Sequence, residues 1–379
     1  MTTASGCTAV DNTRALLRLY ADPGRADGIG HGQWTTILGA ARRARALGHL
    51  AVRLRLAGVM ATVPEPVAAH FESADRVIRR QRQRLHLELR ELGEAVDDLD
   101  APVVLLKGAA YEALKLPLAA ARVASDVDIL VRPEDLHRVE DRLKARGWVS
   151  IELNAYDERY YREWSHEIPA LSHPSRSLEV DVHHSIAPGL RGNSPAVRAL
   201  FERSMPCEWR VGRAGRRPRP FQVLDPADQL LHLAVHTFAS SDLAGRLREV
   251  MDFDLLYRIY CAPGGPVDPG VAMDRASSSG TDRAFWWALH FARRWLGTPV
   301  EPALLDRTGR PGAVLRSAMN WACDRSMLPG ITQRRTRIEF AAELALLTRY
   351  QWHRLPLRLL LPHVVEKARR RVLDREAAS

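Results

Sequence analysis

The chain has 379 residues, of which 46% are apolar and 26% charged, a composition that excludes a disordered or collagen-like protein and permits a sizeable core. No apolar run approaches the roughly 18 residues of a membrane span, and residues 4–7 (ASGC) lack the preceding apolar stretch of a signal peptide. The formal net charge of +10 comes mainly from arginine and permits an anionic partner without requiring one.

The cysteines favour a cytoplasmic protein. Cys7, Cys207, Cys261 and Cys323 are far apart in the sequence and form no CxxC pair. This spacing argues against a disulfide framework and against a zinc site. We therefore expect reduced thiols, a cytoplasmic location and no membrane span.

The first quarter of the chain predicts helices. Apolar residues recur at spacings of three and four through residues 36–58 and 66–96, and Pro64 and Pro66 suit the start of the second stretch. That stretch is long, highly charged and only lightly apolar, so we expect a helix with one buried stripe and one solvated face. Residues 1–98 are accordingly predicted to form a helical N-terminal region.

Short strands alternate with helices over the next hundred residues, which indicates a mixed α+β or α/β domain over residues 99–222. Its sheet is predicted to be small and flanked by helices. Along the last of these strands, Leu178, Val180 and Val182 alternate with polar residues, as in a strand with one buried face. The predicted strands are residues 103–106, 122–131, 148–153 and 177–186, and the predicted helices are residues 109–116 and 132–148.

The chain then predicts a hairpin and a return to helix. Residues 207–224 read as two strands with glycines at the turn between them. Asp225 is a good N-cap for the helix that follows, with Pro226 at its first position. Residues 223–379 are therefore predicted to form a helical C-terminal region.

Two aspartates on one strand are the strongest chemical signal. Because strand side chains alternate, Asp126 and Asp128 project from the same face, about 7 Å apart. Carboxylates placed in this way suit Mg²⁺, which prefers oxygen ligands and substrate phosphates. Asp181 supplies a third carboxylate if its strand lies beside the first, and Glu179, on the same face, is its competitor.

Residues that precede the aspartates are candidates for contact with a nucleotide. Gly108 has no side chain and lets backbone N–H groups approach a phosphate closely. Lys107 and Arg122 can supply positive charge. The alternatives are that Lys107 caps the end of a strand and that Arg122 pairs with Asp126. Ser125, directly before the first aspartate, completes this candidate set.

These motifs together resemble the DNA polymerase β-like nucleotidyltransferases. Within that superfamily the chain is most similar to the bacterial family known as uncharacterised nucleotidyltransferase, over roughly residues 30–260. The matching motifs are LLKG at residues 105–108, Arg122, DVDILV at 126–131, EVDVHH at 179–184, LLHLAVHTF at 230–238 and DFDLL at 252–256.

The resemblance implies a polymerase β-like sheet, metal ligation by Asp126, Asp128 and Asp181, and phosphate contact by Gly108. It also implies an enzyme that uses Mg²⁺ or Mn²⁺ to move a nucleoside monophosphate from a nucleoside triphosphate to an acceptor hydroxyl, with release of pyrophosphate. Two departures concern the phosphate contact. Ala109 stands where many relatives have serine, and Gly108 lies 18 residues before Asp126.

Three classes of acceptor remain open. A small molecule or natural product is the first choice, RNA is the second, and a protein, as in toxin-like relatives, is the third. The RNA alternative rests on the basic segment from Ile331 onward, which has 11 Lys and Arg against 5 Asp and Glu. If this segment does not bind RNA, we expect it to be a docked helix with a basic outer face. A catalytically silent nucleotide- or partner-binding protein of the same fold is the remaining alternative. The sequence does not decide whether the histidines at 183, 184, 232 and 236 have a function or serve packing.

Overall fold

A computed structural model describes residues 9–150, 166–187, 190–211, 219–239, 243–328 and 336–354. These residues form α-helices around one mixed sheet of seven strands. The predicted combination of a sheet with helical parts before and after it is therefore confirmed. No helix in these ranges combines the length and the apolar character needed to cross a bilayer.

The described part of the N-terminal region, residues 9–98, forms four α-helices, where the sequence pattern suggested two longer stretches. The first stretch is interrupted after Arg43, and the chain resumes as a helix at Leu47. Arg45 lies in the interruption with φ of 55°, a left-handed conformation that a continuous helix cannot contain. The helices are α1 (Ala9–Ala21), α2 (His31–Arg43), α3 (Leu47–Leu56) and α4 (Glu65–Val96).

The sheet combines parallel and antiparallel pairs. In space the strands follow the order β3-β4-β5-β2-β1-β7-β6, with β2 parallel to β5 and β1 parallel to β7. The predicted hairpin is present as the antiparallel pair β6 and β7, and its turn lies outside the described residues, as does the predicted strand after Ser150. The strands are β1 (Val104–Leu105), β2 (Asp126–Leu130), β3 (Val149–Ser150), β4 (Leu171–Ser172), β5 (Glu179–His183), β6 (Met205–Val211) and β7 (Arg219–Val223).

The remaining helices lie between the strands and after the sheet. Asp225 caps the first helix after the sheet as predicted, because its carboxylate accepts a hydrogen bond from the Ala227 amide at 3.0 Å. The helices are α5 (Lys107–Ala113), α6 (Leu136–Ala145), α7 (Pro195–Arg203), α8 (Pro226–Phe238), α9 (Leu247–Tyr260), α10 (Pro269–Ser278), α11 (Asp282–Leu296), α12 (Pro302–Leu305), α13 (Ala313–Ser326) and α14 (Arg337–Arg354).

Two large apolar cores hold these elements together. One core joins the N-terminal and C-terminal helices, with Trp34 from α2 buried in the same cluster as Phe253 from α9 and Phe285 from α11. The other joins one face of the sheet to α4 and α6, and includes Val127 and Val180 from the central strands. Residues of β2 and β5 therefore have a fixed inner face, which leaves their polar residues on the opposite face.

Candidate active site

Three carboxylates converge on the polar face of the central strands. The parallel pairing of β2 and β5 places Asp128 opposite Asp181 and Asp126 opposite Glu179. Carboxylate oxygens of Asp126, Asp128 and Asp181 all lie within 4.8 Å of one another. Glu179 is exposed and does not belong to this group. The shared face inferred from the sequence thus brings the three aspartates together, in a geometry that can hold a divalent cation.

Lys107 provides an internal counter-charge to this group. Its Nζ donates a hydrogen bond to Oδ1 of Asp128 at 2.6 Å, and both side chains are almost fully buried. Burial acts to raise the pKa of Asp128, but the Lys107 ammonium and a hydrogen bond from His183 outweigh it and hold that pKa well below its usual value. Lys107 therefore keeps Asp128 ionised, and does more than end the strand before it.

Asp181 has the opposite electrostatic environment. Partial burial and the negative charges of Asp128, Glu167 and Asp126 raise the pKa of Asp181 to about 7, although His183 opposes this shift. Several acidic side chains are therefore crowded around Asp181, and their negative charges repel one another. Such crowding of carboxylates in a small volume favours the binding of a divalent cation.

His183 connects the carboxylate group to the segment before β4. Its Nε2 lies 3.0 Å from Oδ1 of Asp128, and its Nδ1 lies 3.4 Å from Oε2 of Glu167. The ring is buried between these two acidic side chains. His184 is not among the residues that line the cleft described below, and burial lowers its pKa. Of the two adjacent histidines, only His183 contacts the candidate site.

The carboxylates lie in a cleft of about 690 Å³. Its cationic lining comes from the end of α2, the turn after it, the segment before β2 and the start of α9. Glu249 accepts hydrogen bonds from Arg246 and Arg248 at 3.5 and 3.2 Å, which holds these two arginines at the start of α9. Cations lining the cleft are Arg43, Arg45, Lys107, Arg122, Arg246 and Arg248. This combination suits a ligand that carries several negative charges.

The candidate nucleotide-binding residues differ in their placement. Lys107, Arg122 and Ser125 line the cleft. Gly108 is not among the lining residues; it lies in the first turn of α5, where a Cβ atom would come within 3.3 Å of the Ala124 side chain. A phosphate contact by Gly108 stays a prediction.

Arg122 is held by a buried network that the sequence did not reveal. Its Nη1 donates to Oδ2 of Asp252 at 2.7 Å, and Oδ1 of Asp252 lies 2.6 Å from Nε2 of His49. The proposed pairing of Arg122 with Asp126 is therefore wrong: the guanidinium forms its ion pair with α9. Burial acts to raise the pKa of Asp252, but Arg122 and His49 lower it below its usual value. The network orients Arg122 at the cleft wall.

His232 and His236 lie one turn apart on α8, with ring centroids 6.3 Å apart. His232 is buried, and this burial together with the nearby charge of Lys107 lowers its pKa to about 3. His236 lines the cleft. Neither belongs to the potential metal-binding groups found within the described ranges. His232 therefore packs as a neutral ring.

A second group of ligand atoms was missed in the sequence. His166, Glu167 and His183 also bring their nitrogen and carboxylate oxygen atoms within 4.8 Å of one another. Glu167 and His183 meet through an antiparallel bridge to β5. No regular spacing links residues 166–167 to β5, so periodicity gave no signal for this contact.

Comparison with known proteins identifies the family of the chain. Residues 30–297 match the protein family described as uncharacterised nucleotidyltransferase, and no curated protein matches the sequence. The matched segment covers more than half of the chain and contains all three aspartates, Lys107 and Arg122. The chain therefore belongs to this family of nucleotidyltransferases.

Proposed function

We propose that this protein is a Mg²⁺-dependent nucleotidyltransferase with a polymerase β-like catalytic sheet. It transfers a nucleoside monophosphate from a nucleoside triphosphate to an acceptor hydroxyl and releases pyrophosphate. The observation that carries this proposal is the convergence of Asp126, Asp128 and Asp181 within 4.8 Å in a cleft lined by arginines. We also propose a cytoplasmic reaction, consistent with the free thiols of Cys207, Cys261 and Cys323.

The donor set fits a hard divalent cation. Asp126, Asp128 and Asp181 offer only carboxylate oxygens, which Mg²⁺ prefers and Mn²⁺ accepts. Burial and the repulsion among these carboxylates raise the pKa of Asp181, and a bound cation would relieve that repulsion. When bound, the cation supplies charge neutralisation at the phosphate and activation of the attacking oxygen.

The side chains of the cleft supply binding and orientation. Arg246 and Arg248, held by Glu249 at the start of α9, can pair with phosphate oxygens through their guanidinium groups. Arg122 is fixed by Asp252, so it presents its charge at the cleft wall with little loss of conformational freedom on binding. Lys107 keeps Asp128 ionised. These interactions would place the triphosphate beside the three aspartates.

A small-molecule acceptor is supported by a second cavity. This groove of about 520 Å³ shares Arg45, Ser125 and Arg248 with the catalytic cleft. Its size is within the range of small-molecule sites. Its apolar lining comes mainly from α3, α4 and the segment before β2, and includes Leu47, Ala74, Val77, Ile78 and Val123. A hydroxyl-bearing molecule with an apolar body would fit beside the aspartates.

RNA is the second candidate acceptor, because the C-terminal segment is basic. Its arginines lie mainly at residues 333–337 and 367–371, and most of these positions are outside the described residues. The groove beside the cleft favours a small molecule as the acceptor. RNA and a protein hydroxyl are the other outcomes of the test.

The proposal is tested by incubating the purified protein with each α-labelled nucleoside triphosphate, Mg²⁺ or Mn²⁺, and a cell extract. Separation into small-molecule, RNA and protein fractions then identifies the acceptor class. We expect label in the small-molecule fraction with the wild type and with Glu179→Gln, whose side chain is exposed opposite Asp126. Asp126→Asn should give none. Nucleotide binding without label in any fraction would instead support the silent alternative.

A further inference from the structure

We propose that His166, Glu167 and His183 form a second metal site, which takes a transition-metal ion of the Zn²⁺ type. The three side chains bring two imidazole nitrogens and one carboxylate oxygen within 4.8 Å of one another. The site adjoins the three aspartates but has a different donor set. None of its three ligands belongs to the aspartate group, although one of them, His183, bonds to Asp128.

The hydrogen bonding of His183 indicates a metal ligand. Its Nε2 lies 3.0 Å from Oδ1 of Asp128, so this nitrogen carries the hydrogen and donates to the carboxylate. In the neutral ring, Nδ1 is then the unprotonated nitrogen and presents its lone pair toward Glu167. That atom has no hydrogen-bond partner among the described residues, although the side chain is only 3% exposed. A histidine that donates one N–H to a carboxylate and points its other nitrogen at a cluster of ligands has the arrangement typical of metal-bound histidine.

The other two side chains are held against His183 by the backbone. The Ile168 amide donates to the Val182 carbonyl at 3.0 Å, and the His184 amide donates to the His166 carbonyl at 2.9 Å. Oε2 of Glu167 lies 3.4 Å from Nδ1 of His183 and 3.9 Å from Nε2 of His166. Distances of this size need only small side-chain movements to close on an ion with metal–ligand distances near 2.0–2.2 Å.

An ion can reach this site from the cleft. Glu167 is 28% exposed, and both Glu167 and His166 line the cleft. Imidazole ligands favour ions of the zinc type over Mg²⁺, whereas the all-carboxylate group favours Mg²⁺. Because His183 bonds to Asp128, an ion in the second site would fix the ring that helps to orient that carboxylate. The two adjacent sites would thus hold different metals, and the hydrogen bond between His183 and Asp128 would connect them.

Direct metal binding tests the proposal without an activity assay. The full chain is titrated with Zn²⁺ against a chromogenic chelator, in excess Mg²⁺ to occupy the three aspartates. We expect one tightly bound Zn²⁺ per chain. Glu167→Gln and His166→Asn should each weaken binding by about 100-fold or more. Asp128→Asn should weaken it by about 10-fold to 100-fold, because an amide oxygen is a weaker acceptor than a carboxylate for the hydrogen bond from His183.

Two controls locate the ion. His184→Asn, which changes the adjacent histidine outside the cleft, and Asp126→Asn, which changes only the carboxylate group, should both retain tight binding. Thermal melting shows whether each variant is folded, and the partly exposed Glu167 provides a substitution with little effect on packing. Absence of tight Zn²⁺ binding by the wild type would overturn the proposal. So would unchanged binding by Glu167→Gln, or loss of binding in Asp126→Asn.

Discussion

The ammonium group of Lys107 lies 2.6 Å from the carboxylate of Asp128, and both side chains are almost fully buried. Lys107 has φ of 42°, so its backbone adopts a left-handed conformation directly after β1. A lysine is thus held beside the aspartate despite an unfavourable backbone conformation. The ammonium group of Lys107 and a bound divalent cation would both balance the negative charge of the Asp128 carboxylate.

Lys107→Met should lower the free energy of unfolding by about 3–5 kcal/mol without a divalent cation, because it leaves the buried Asp128 without its partner charge. Methionine keeps a long side chain at the same backbone position. Mg²⁺ should stabilise the variant more than the wild type, since the variant has no internal cation. Urea unfolding with and without Mg²⁺ measures both effects. Equal stability and an equal response to Mg²⁺ would show that the ion pair has no role.

The buried network behind Arg122 should also contribute strongly to stability. Asp252→Asn removes the charge that Arg122 and His49 share, and we expect a cost of about 3–5 kcal/mol in urea unfolding. Asp75 is the matched control, because it pairs with Arg55 in a more exposed position. Asp75→Asn should cost about 0–1 kcal/mol. Similar costs for the two substitutions would contradict a structural role for the buried network.

His232 should make stability depend on pH. Its pKa is about 3 in the folded protein and about 6.5 in the unfolded chain, so between these values the unfolded state binds the extra proton. The stabilisation that the neutral His232 ring contributes is therefore fully present above pH 6.5 and is lost as the pH falls toward 3. Between pH 7.5 and 5.0 the wild type should lose about 2 kcal/mol more than His232→Gln. Unfolding curves of equal pH dependence would show that this histidine is not held neutral.

The basic C-terminal segment separates an RNA acceptor from a small one. Replacing the basic residues of 333–337 and 367–371 with Gln should leave transfer to a small molecule nearly unchanged. If RNA were the acceptor, the same changes would reduce activity on RNA and spare nucleotide binding. RNA binding would also weaken with salt, with a slope of log K against log salt of roughly −0.7 per phosphate contacted. Salt-sensitive RNA binding that depends on these residues would overturn the small-molecule proposal.

Local patterns in the sequence predicted the elements that carry the site. The period of two along β2 and β5 placed Asp126, Asp128 and Asp181 on one face, and the buried Val127 and Val180 confirm the opposite face as core. These features depend on neighbours within a few residues. The resemblance to the nucleotidyltransferase family supplied the adjacency of the two strands, which alternation alone does not determine.

Contacts between distant segments were not predictable in this way. His49 and Asp252 are 203 residues apart and meet only because the N-terminal and C-terminal helices share one core. The sequence therefore offered only the nearby Asp126 as an alternative ion-pair partner for Arg122, and not the distant Asp252. Glu167 reaches His183 through pairing of an irregular segment, which leaves no periodic signal. The helix break at Arg45 was missed because the apolar spacing continues across it.

The two aspartates of β2 should differ in their effect on stability while both are required for transfer. Asp126→Asn relieves repulsion among partly exposed carboxylates, so its thermal stability should equal or exceed that of the wild type. Asp128→Asn leaves Lys107 buried without a counter-charge and should melt at a lower temperature. Both variants should be inactive, which makes Asp126→Asn the cleaner test of chemistry.

The most direct measurement compares the fate of two labels in the same triphosphate. The wild type with Mg²⁺ should place an α-phosphate label in the product and release a γ-phosphate label as pyrophosphate, whereas Asp126→Asn should do neither. Glu179→Gln, altered at the position opposite Asp126, should behave as the wild type. Product that carries the γ label, or undiminished transfer by Asp126→Asn, would contradict metal-dependent nucleotidyl transfer at the three aspartates.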